Sequence, residues 1–246
     1  MPSYLSRGYS LHYEEAGQKT GPAVVLIHGF ASDAGLNWRG TAWITALVRA
    51  GYRVLAPDCL GHGQSDKPHL AADYDRVQMA ADAALLLEQL APAGAALIGY
   101  SMGGQIGLRL ALSRPDLIHR CVIGGWDESQ RLSVAAVARR LRGEPGGGGQ
   151  EEEFLSFAAA RPVNDLLALA ACIEGPAEPL ALAELASIQA PTLVATGDAD
   201  HLAPEAATLA RRLVNARHLS LAGRDHMSAL TAGAFRLAAL EFLAEP

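Results

Sequence analysis

The sequence predicts an α/β fold, a mostly parallel sheet with helices on both faces, and three observations predict it. Short, continuous apolar runs recur along the 246 residues, as expected for strands buried on both sides. Segments of helical periodicity separate them, and such alternation implies right-handed crossovers within one sheet. Half the residues are hydrophobic and 19% are charged. That composition fills a large core and is unlike that of a disordered chain.

Taken in order, Tyr4 to Glu15 alternates and predicts an antiparallel edge hairpin. Ala23 to Phe30, Arg53 to Asp58, Ala95 to Ser101 and Arg120 to Gly125 predict buried strands. Between them, Thr41 to Ala50, Arg76 to Leu90 and Met102 to Leu112 have helical patterns. Pro191 to Asp198 and Ala216 to Gly223 predict the last two strands, each followed by a helix, Pro204 to Leu213 and Ser228 to Leu243.

One segment breaks this rhythm. From Trp126 to Ser187 no strand pattern occurs, and the stretch holds a Gly-rich run, GEPGGGGQEEE, expected to be flexible at Gly146 to Gly149. It also holds an apolar helix, LLALAACIEG. A connection of about sixty residues is too long for an ordinary loop. The expected organisation is a core of residues 1–125 and 188–246 and a helical cap insertion of residues 126–187, lying over the C-terminal edge of the sheet.

The net charge is −6 and no basic block occurs, which argues against a nucleic-acid surface or a polybasic membrane patch. The three cysteines, Cys59, Cys121 and Cys172, are too few and too far apart for a disulfide framework or a zinc site. The opening residues lack an apolar leader pattern, and no apolar run reaches membrane-spanning length. The expectation is a cytoplasmic protein with a small-molecule substrate and no nucleic-acid or membrane partner.

The central chemical motif is Gly99-Tyr100-Ser101-Met102-Gly103, at the junction of a predicted strand and a predicted helix. That is the context of a nucleophile elbow: the turn needs near-absent side chains two residues either side of the serine, and it lifts the hydroxyl off the sheet edge. A second motif, His28-Gly29-Phe30, follows the first buried strand. Its backbone can supply one oxyanion donor, the Phe30 N–H, to add to the Met102 N–H. We read the His28 side chain as holding its loop. Asp58 and His62, in PDCLGHGQS, are read as parts of a structural turn. Asp225-His226 follows the last strand and Gly197-Asp198-Ala199-Asp200 the one before it; His201 is a weaker candidate than His226 for the base.

These motifs resemble those of the α/β-hydrolase superfamily: HGF at 28–30, PDCLGHGQSDKP at 57–68, GYSMGG at 99–104, GDADHLAP at 197–204 and GRDH at 223–226. The resemblance implies an eight-stranded, mostly parallel sheet with a helical cap after the sixth strand. It also implies a Ser–Asp–His triad in that chain order and no metal or organic cofactor. Relatives include carboxylesterases, enol-lactonases, carbon–carbon bond hydrolases, thioesterases and perhydrolases. A serine at position 101 argues against haloalkane dehalogenases and epoxide hydrolases, which place an aspartate there.

Ser101 is therefore expected as nucleophile and His226 as base. For the acid four aspartates compete, Asp127, Asp198, Asp200 and Asp225, and Asp200 resembles the family's GxxD…P spacing. The expected activity is hydrolysis of a small, largely apolar ester, thioester or lactone through an acyl-enzyme. Two alternatives are a lyase or carbon–carbon hydrolase on the same triad and a non-catalytic ligand receptor on the same scaffold.

Overall fold

A computed structural model of the chain describes residues 2–129, 133–145 and 150–245; the Gly-rich run at 146–149 lies outside the described residues. In chain order the strands are β1 (Ser3–Ser6), β2 (Tyr9–Ala16), β3 (Ala23–Ile27), β4 (Arg53–Pro57), β5 (Ala95–Tyr100), β6 (Ile118–Gly124), β7 (Thr192–Gly197) and β8 (Ala216–Leu221). They form one eight-stranded sheet in the order β1-β2-β4-β3-β5-β6-β7-β8. The β1–β2 and β2–β4 pairings are antiparallel and all others parallel, as the sequence predicts.

Local chemistry accounts for the two edges. β1 and β2 meet through Arg7 and Gly8, whose φ angles of +50° and +85° fit the mirror-image two-residue turn that matches strand twist. The Arg7 guanidinium is held there by Asp82 at 2.9 and 2.6 Å. At the other edge β8 alternates poorly and is largely exposed. The central strands, by contrast, are almost wholly buried, which is why their sequences read as continuous apolar runs.

The α-helices among the described residues are α1 (Trp43–Arg49), α2 (Arg76–Leu90), α3 (Met102–Ser113), α4 (Val134–Leu141), α5 (Gln150–Ala159), α6 (Leu166–Glu174), α7 (Leu182–Ser187), α8 (Ala206–Arg212), α9 (His226–Thr231) and α10 (Gly233–Leu243). Alternate strand residues point into two cores. Val25, Ile27 and Leu97 join the core that includes α2, α3 and α8. Val24, Leu26 and Ile98 join the core containing Trp43 of α1 and Phe235 of α10, whose rings meet edge to face at 4.9 Å.

A single helix predicted over Ser228 to Leu243 is instead two. Ala232 is extended, at φ −65° and ψ +126°, and separates α9 from α10. The break costs backbone hydrogen bonds, and side chains from elsewhere replace them. Trp43 Nε1 donates to the Leu230 carbonyl at 2.9 Å, and Arg236 Nη1 donates to the Thr231 carbonyl at 2.9 Å.

Between β6 and β7 the described residues hold α4 to α7 and no strand. This segment is tied to the loop after β3. Asn164 Nδ2 donates to the Ala31 carbonyl at 3.1 Å, and Arg161 pairs with Asp33. Among the described residues no helix is long and apolar enough to cross a membrane.

Candidate active site

The site is built around one strained residue. β5 ends at Tyr100 and α3 begins at Met102, which leaves Ser101 in the turn at φ +53° and ψ −120°. Residues with side chains rarely adopt that conformation, and it persists only where the surroundings over-determine it. Here Ser101 N donates to the Gly124 carbonyl at 2.8 Å, and the Ser101 carbonyl accepts from Gly104 N at 2.8 Å and Gln105 N at 3.2 Å. The flanking glycines are obligatory. A Cβ at Gly99 would strike the Gly103 carbonyl, and one at Gly103 would strike the Ile27 carbonyl of β3.

Three side chains converge at this point. His226, the first residue of α9, places Nε2 3.0 Å from Ser101 Oγ. Its Nδ1 lies 2.9 Å from Asp200 Oδ2 and 3.1 Å from Oδ1. The network assigns the tautomer: Nδ1–H donates to the carboxylate, which frees Nε2 to accept the serine proton. Asp200 is buried, and its Oδ1 also accepts from Leu202 N at 2.9 Å and Ala203 N at 3.2 Å. Gly197 lets the end of β7 approach the loop leading to His226; a Cβ there would meet the Arg224 carbonyl. Behind the imidazole, the buried Tyr100 hydroxyl donates to the His226 carbonyl at 2.5 Å. Burial, reinforced by the Asp200 charge, pushes the Tyr100 phenol well above its ordinary pKa, so it remains a donor.

The other candidate aspartates are engaged elsewhere. Asp127 accepts from Ser129 N at 2.6 Å and from Glu205 N, bracing the loop after β6 against the start of α8. Asp198 accepts from Gly223 N at 2.7 Å. Asp225 caps α9 by accepting from Met227 N and Ser228 N. Asp58 gathers three segments, with His12 Nδ1 at 3.0 Å, Ala34 N at 2.8 Å and Gln64 N at 2.9 Å.

His28 Nε2 accepts from Cys59 N at 2.9 Å, and its Nδ1–H donates to the Gly29 carbonyl at 2.8 Å. It therefore ties the loops after β3 and β4 together. His62 packs on it, with ring centroids 5.1 Å apart. Burial lowers the pKa of both imidazoles, and that of His62 falls well below the ordinary value.

Two chambers of about 190 and 360 Å³ meet at Ser101 and His226, and Phe30 and Leu202 border both. Met102 lines the smaller chamber, and Asn37 Oδ1 steadies the loop bearing Phe30 by accepting from Gly29 N at 3.1 Å. The larger chamber is closed by Phe157 of α5 and by Met227 and Leu230 of α9. The smaller one adds Trp126, Ile173 and Leu180 with the polar residues Arg76, Gln105, Asp127, Glu128 and Ser129. Tyr100, Arg76 and Gln105 were not singled out from the sequence. The signal available for Arg76 was that it is the one basic residue of a largely apolar helical pattern. Among the described residues no cluster of His, Cys, Asp or Glu is suited to hold a metal ion.

Residues 22–146 match the model of a family described as alpha/beta hydrolase fold. An epoxide hydrolase of Caballeronia sordidicola is 34% identical over 160 residues, 65% of this chain and 46% of that protein. A haloalkane dehalogenase of Mycobacterium marinum is 38% identical over 113 residues, 46% of this chain and 37% of that one. The chain spans less than half the length of these curated relatives. Two solved structures align over nearly the whole chain. The enol-lactonase from Burkholderia xenovorans LB400 superposes with a TM-score of 0.84 at 27% identity, covering 99% of this chain and 100% of that one. A hydrolase from Pseudomonas aeruginosa PA01 superposes with a TM-score of 0.82 at 26% identity, covering 99% and 98%.

Proposed function

Because this chain belongs to the alpha/beta hydrolase fold family, we propose that it is a serine hydrolase acting on a small ester, thioester or lactone. The observation that carries this reading is the relay from Ser101 Oγ to His226 Nε2 at 3.0 Å and from His226 Nδ1 to Asp200 at 2.9 Å. His226 takes the proton as Ser101 attacks a carbonyl carbon. Asp200, held by two backbone N–H groups, fixes the imidazole and stabilises its cation. The Phe30 and Met102 N–H groups receive the oxyanion. His226 then activates water, which releases the acyl group.

The chemistry of the nucleophile separates this reading from the named activities of two relatives. Serine attack on the saturated carbon of an epoxide or alkyl halide forms an ether, which water activated by histidine does not cleave. Attack on a carbonyl forms an ester, which it does. The likeness to an enol-lactonase is in keeping with a carbonyl substrate. In this reading, residues 126–187 act as a cap whose α5 and α6 wall the two chambers. The enzyme needs no metal or organic cofactor and works in the cytoplasm.

The test is labelling by a fluorophosphonate together with turnover of short p-nitrophenyl esters. Ser101→Ala should abolish labelling and lower kcat by about four to six orders of magnitude, as for triad knock-outs. Comparable turnover by the alanine variant removes the mechanism.

A further inference from the structure

Arg76 opens α2 and is only 5% exposed. Arg76 borders the same chamber as Ser101. The oxygen acceptors it reaches are all neutral: the Tyr74 carbonyl at 2.9 Å, the Cys172 carbonyl at 3.1 Å and Gln105 Oε1 at 3.2 Å. Two sulfurs complete its surroundings, Met79 Sδ at 3.4 Å and Cys172 Sγ at 3.9 Å. Among the described residues no carboxylate pairs with it. A guanidinium carries five N–H donors; three go to these oxygens and one from Nη1 to the weakly accepting sulfurs, which leaves one Nη2 N–H to offer.

A buried cation without an anion is costly, and buried charges are ordinarily paired. The two carboxylates that share this chamber are committed elsewhere. Asp127 serves Ser129 and Glu205, and Glu128 pairs with Arg212. Arg109, a second buried arginine, has unpartnered nitrogens, unlike Arg76, but borders neither chamber. Arg76 is therefore the arginine that lines the chamber beside Ser101 with no carboxylate partner among the described residues.

We propose that Arg76 is a specificity-determining residue that pairs with a carboxylate on the substrate, so that the preferred substrates are anionic esters, thioesters or lactones. This rests on the serine-hydrolase reading. It revises the largely apolar substrate expected from the sequence: the chamber of about 190 Å³ holds the anionic end, and the more apolar chamber of about 360 Å³ holds the remainder. Planar guanidinium donors suit a carboxylate better than a lysine ammonium does.

The test compares mono-p-nitrophenyl adipate, an anion, with its neutral methyl ester. The wild-type ratio of kcat/KM should favour the anion. Arg76→Met should lower that ratio by about 10- to 100-fold, the range for hydrogen bonds to a charged group, and Arg76→Lys should fall between. A ratio unchanged by Arg76→Met, or a wild-type preference for the neutral ester, overturns the proposal. Taking a ratio within each variant keeps the result readable when part of the protein fails to fold. Calorimetric binding of adipate monomethyl ester to Ser101→Ala separates the two levels of inference. Charge-selective binding lost in Ser101→Ala/Arg76→Met, with no ester turnover by the wild type, removes the hydrolase reading and keeps the anion site. Turnover of both esters without charge selectivity does the reverse.

Discussion

Ser101→Gly and Ser101→Ala should differ in stability, with glycine the more stable. Both remove the hydroxyl and its 3.0 Å contact with His226, so that loss cancels and only the Cβ distinguishes them. At φ +53° and ψ −120° a residue with a Cβ costs about 1–3 kcal/mol, and glycine relieves that strain. Glycine also gains freedom in the unfolded chain, which returns about 0.4–1 kcal/mol of the benefit. The net expectation is about 0–2.6 kcal/mol in favour of glycine, with a midpoint of about 1.3 kcal/mol, or roughly 3–5 °C in Tm for a chain of this size. Urea unfolding of both purified variants, compared at a shared slope, measures it. A glycine variant less stable than the alanine variant would refute the view that strand and helix force this conformation on Ser101.

Three further outcomes are expected. Asp200→Asn should lower kcat by up to about ten-thousandfold by disturbing the imidazole tautomer, whereas Asp127→Asn should mainly lower Tm; parallel kinetics and melting decide, and the opposite pattern reassigns the acid. Stability should fall as pH drops below about 6.5, because unfolded histidines take up protons that buried His28 and His62 refuse. The slope is at most about 1.4 kcal/mol per pH unit for each group, and His62→Gln should lessen it; a flat profile from pH 7 to 5 contradicts the argument. Gly103→Ala should prevent folding, since its Cβ meets the Ile27 carbonyl, while Gly233→Ala, with open space at the start of α10, should be neutral or stabilising by up to about 1 kcal/mol; soluble yield and melting distinguish them.

Much of the sheet was legible because its central strands are buried on both faces and their apolar runs have no competing reading. β4 to β8 fall within two residues of the expected limits, and β3 ends three residues before the expected Phe30. The α9–α10 break was not legible, because no proline or turn motif marks Ala232; its replacement hydrogen bonds come from Trp43, 187 residues away in sequence, and from Arg236. The segment of residues 126–187 was expected to be helical, but α4, α5 and α7 were not placed individually, since each is only six to ten residues long. At the site, Ser101 stood out because the elbow constrains glycine on both sides. Asp200 emerged from spacing alone, and the structure brings it, rather than Asp127 or Asp198, to His226. Arg76 stayed hidden because a charge at a helix start is normally solvated, and burial by α6 is a tertiary fact.

The triangle of Ser101, His226 and Asp200 has a consequence for how the chain comes to be competent during synthesis. Ser101 sits between β5 and α3, but its partner His226 is 125 residues further along. Asp200 and His226 follow β7 and β8, the outer strands on one side of the sheet. Strands of this parallel kind dock late, because long loops must close before their contacts form. A nascent chain emerging from a ribosome therefore exposes a bent, unassisted serine well before any imidazole reaches it. Under the proposed mechanism, competence arrives when β8 joins the edge, and a folding intermediate that lacks this strand should not turn over an ester.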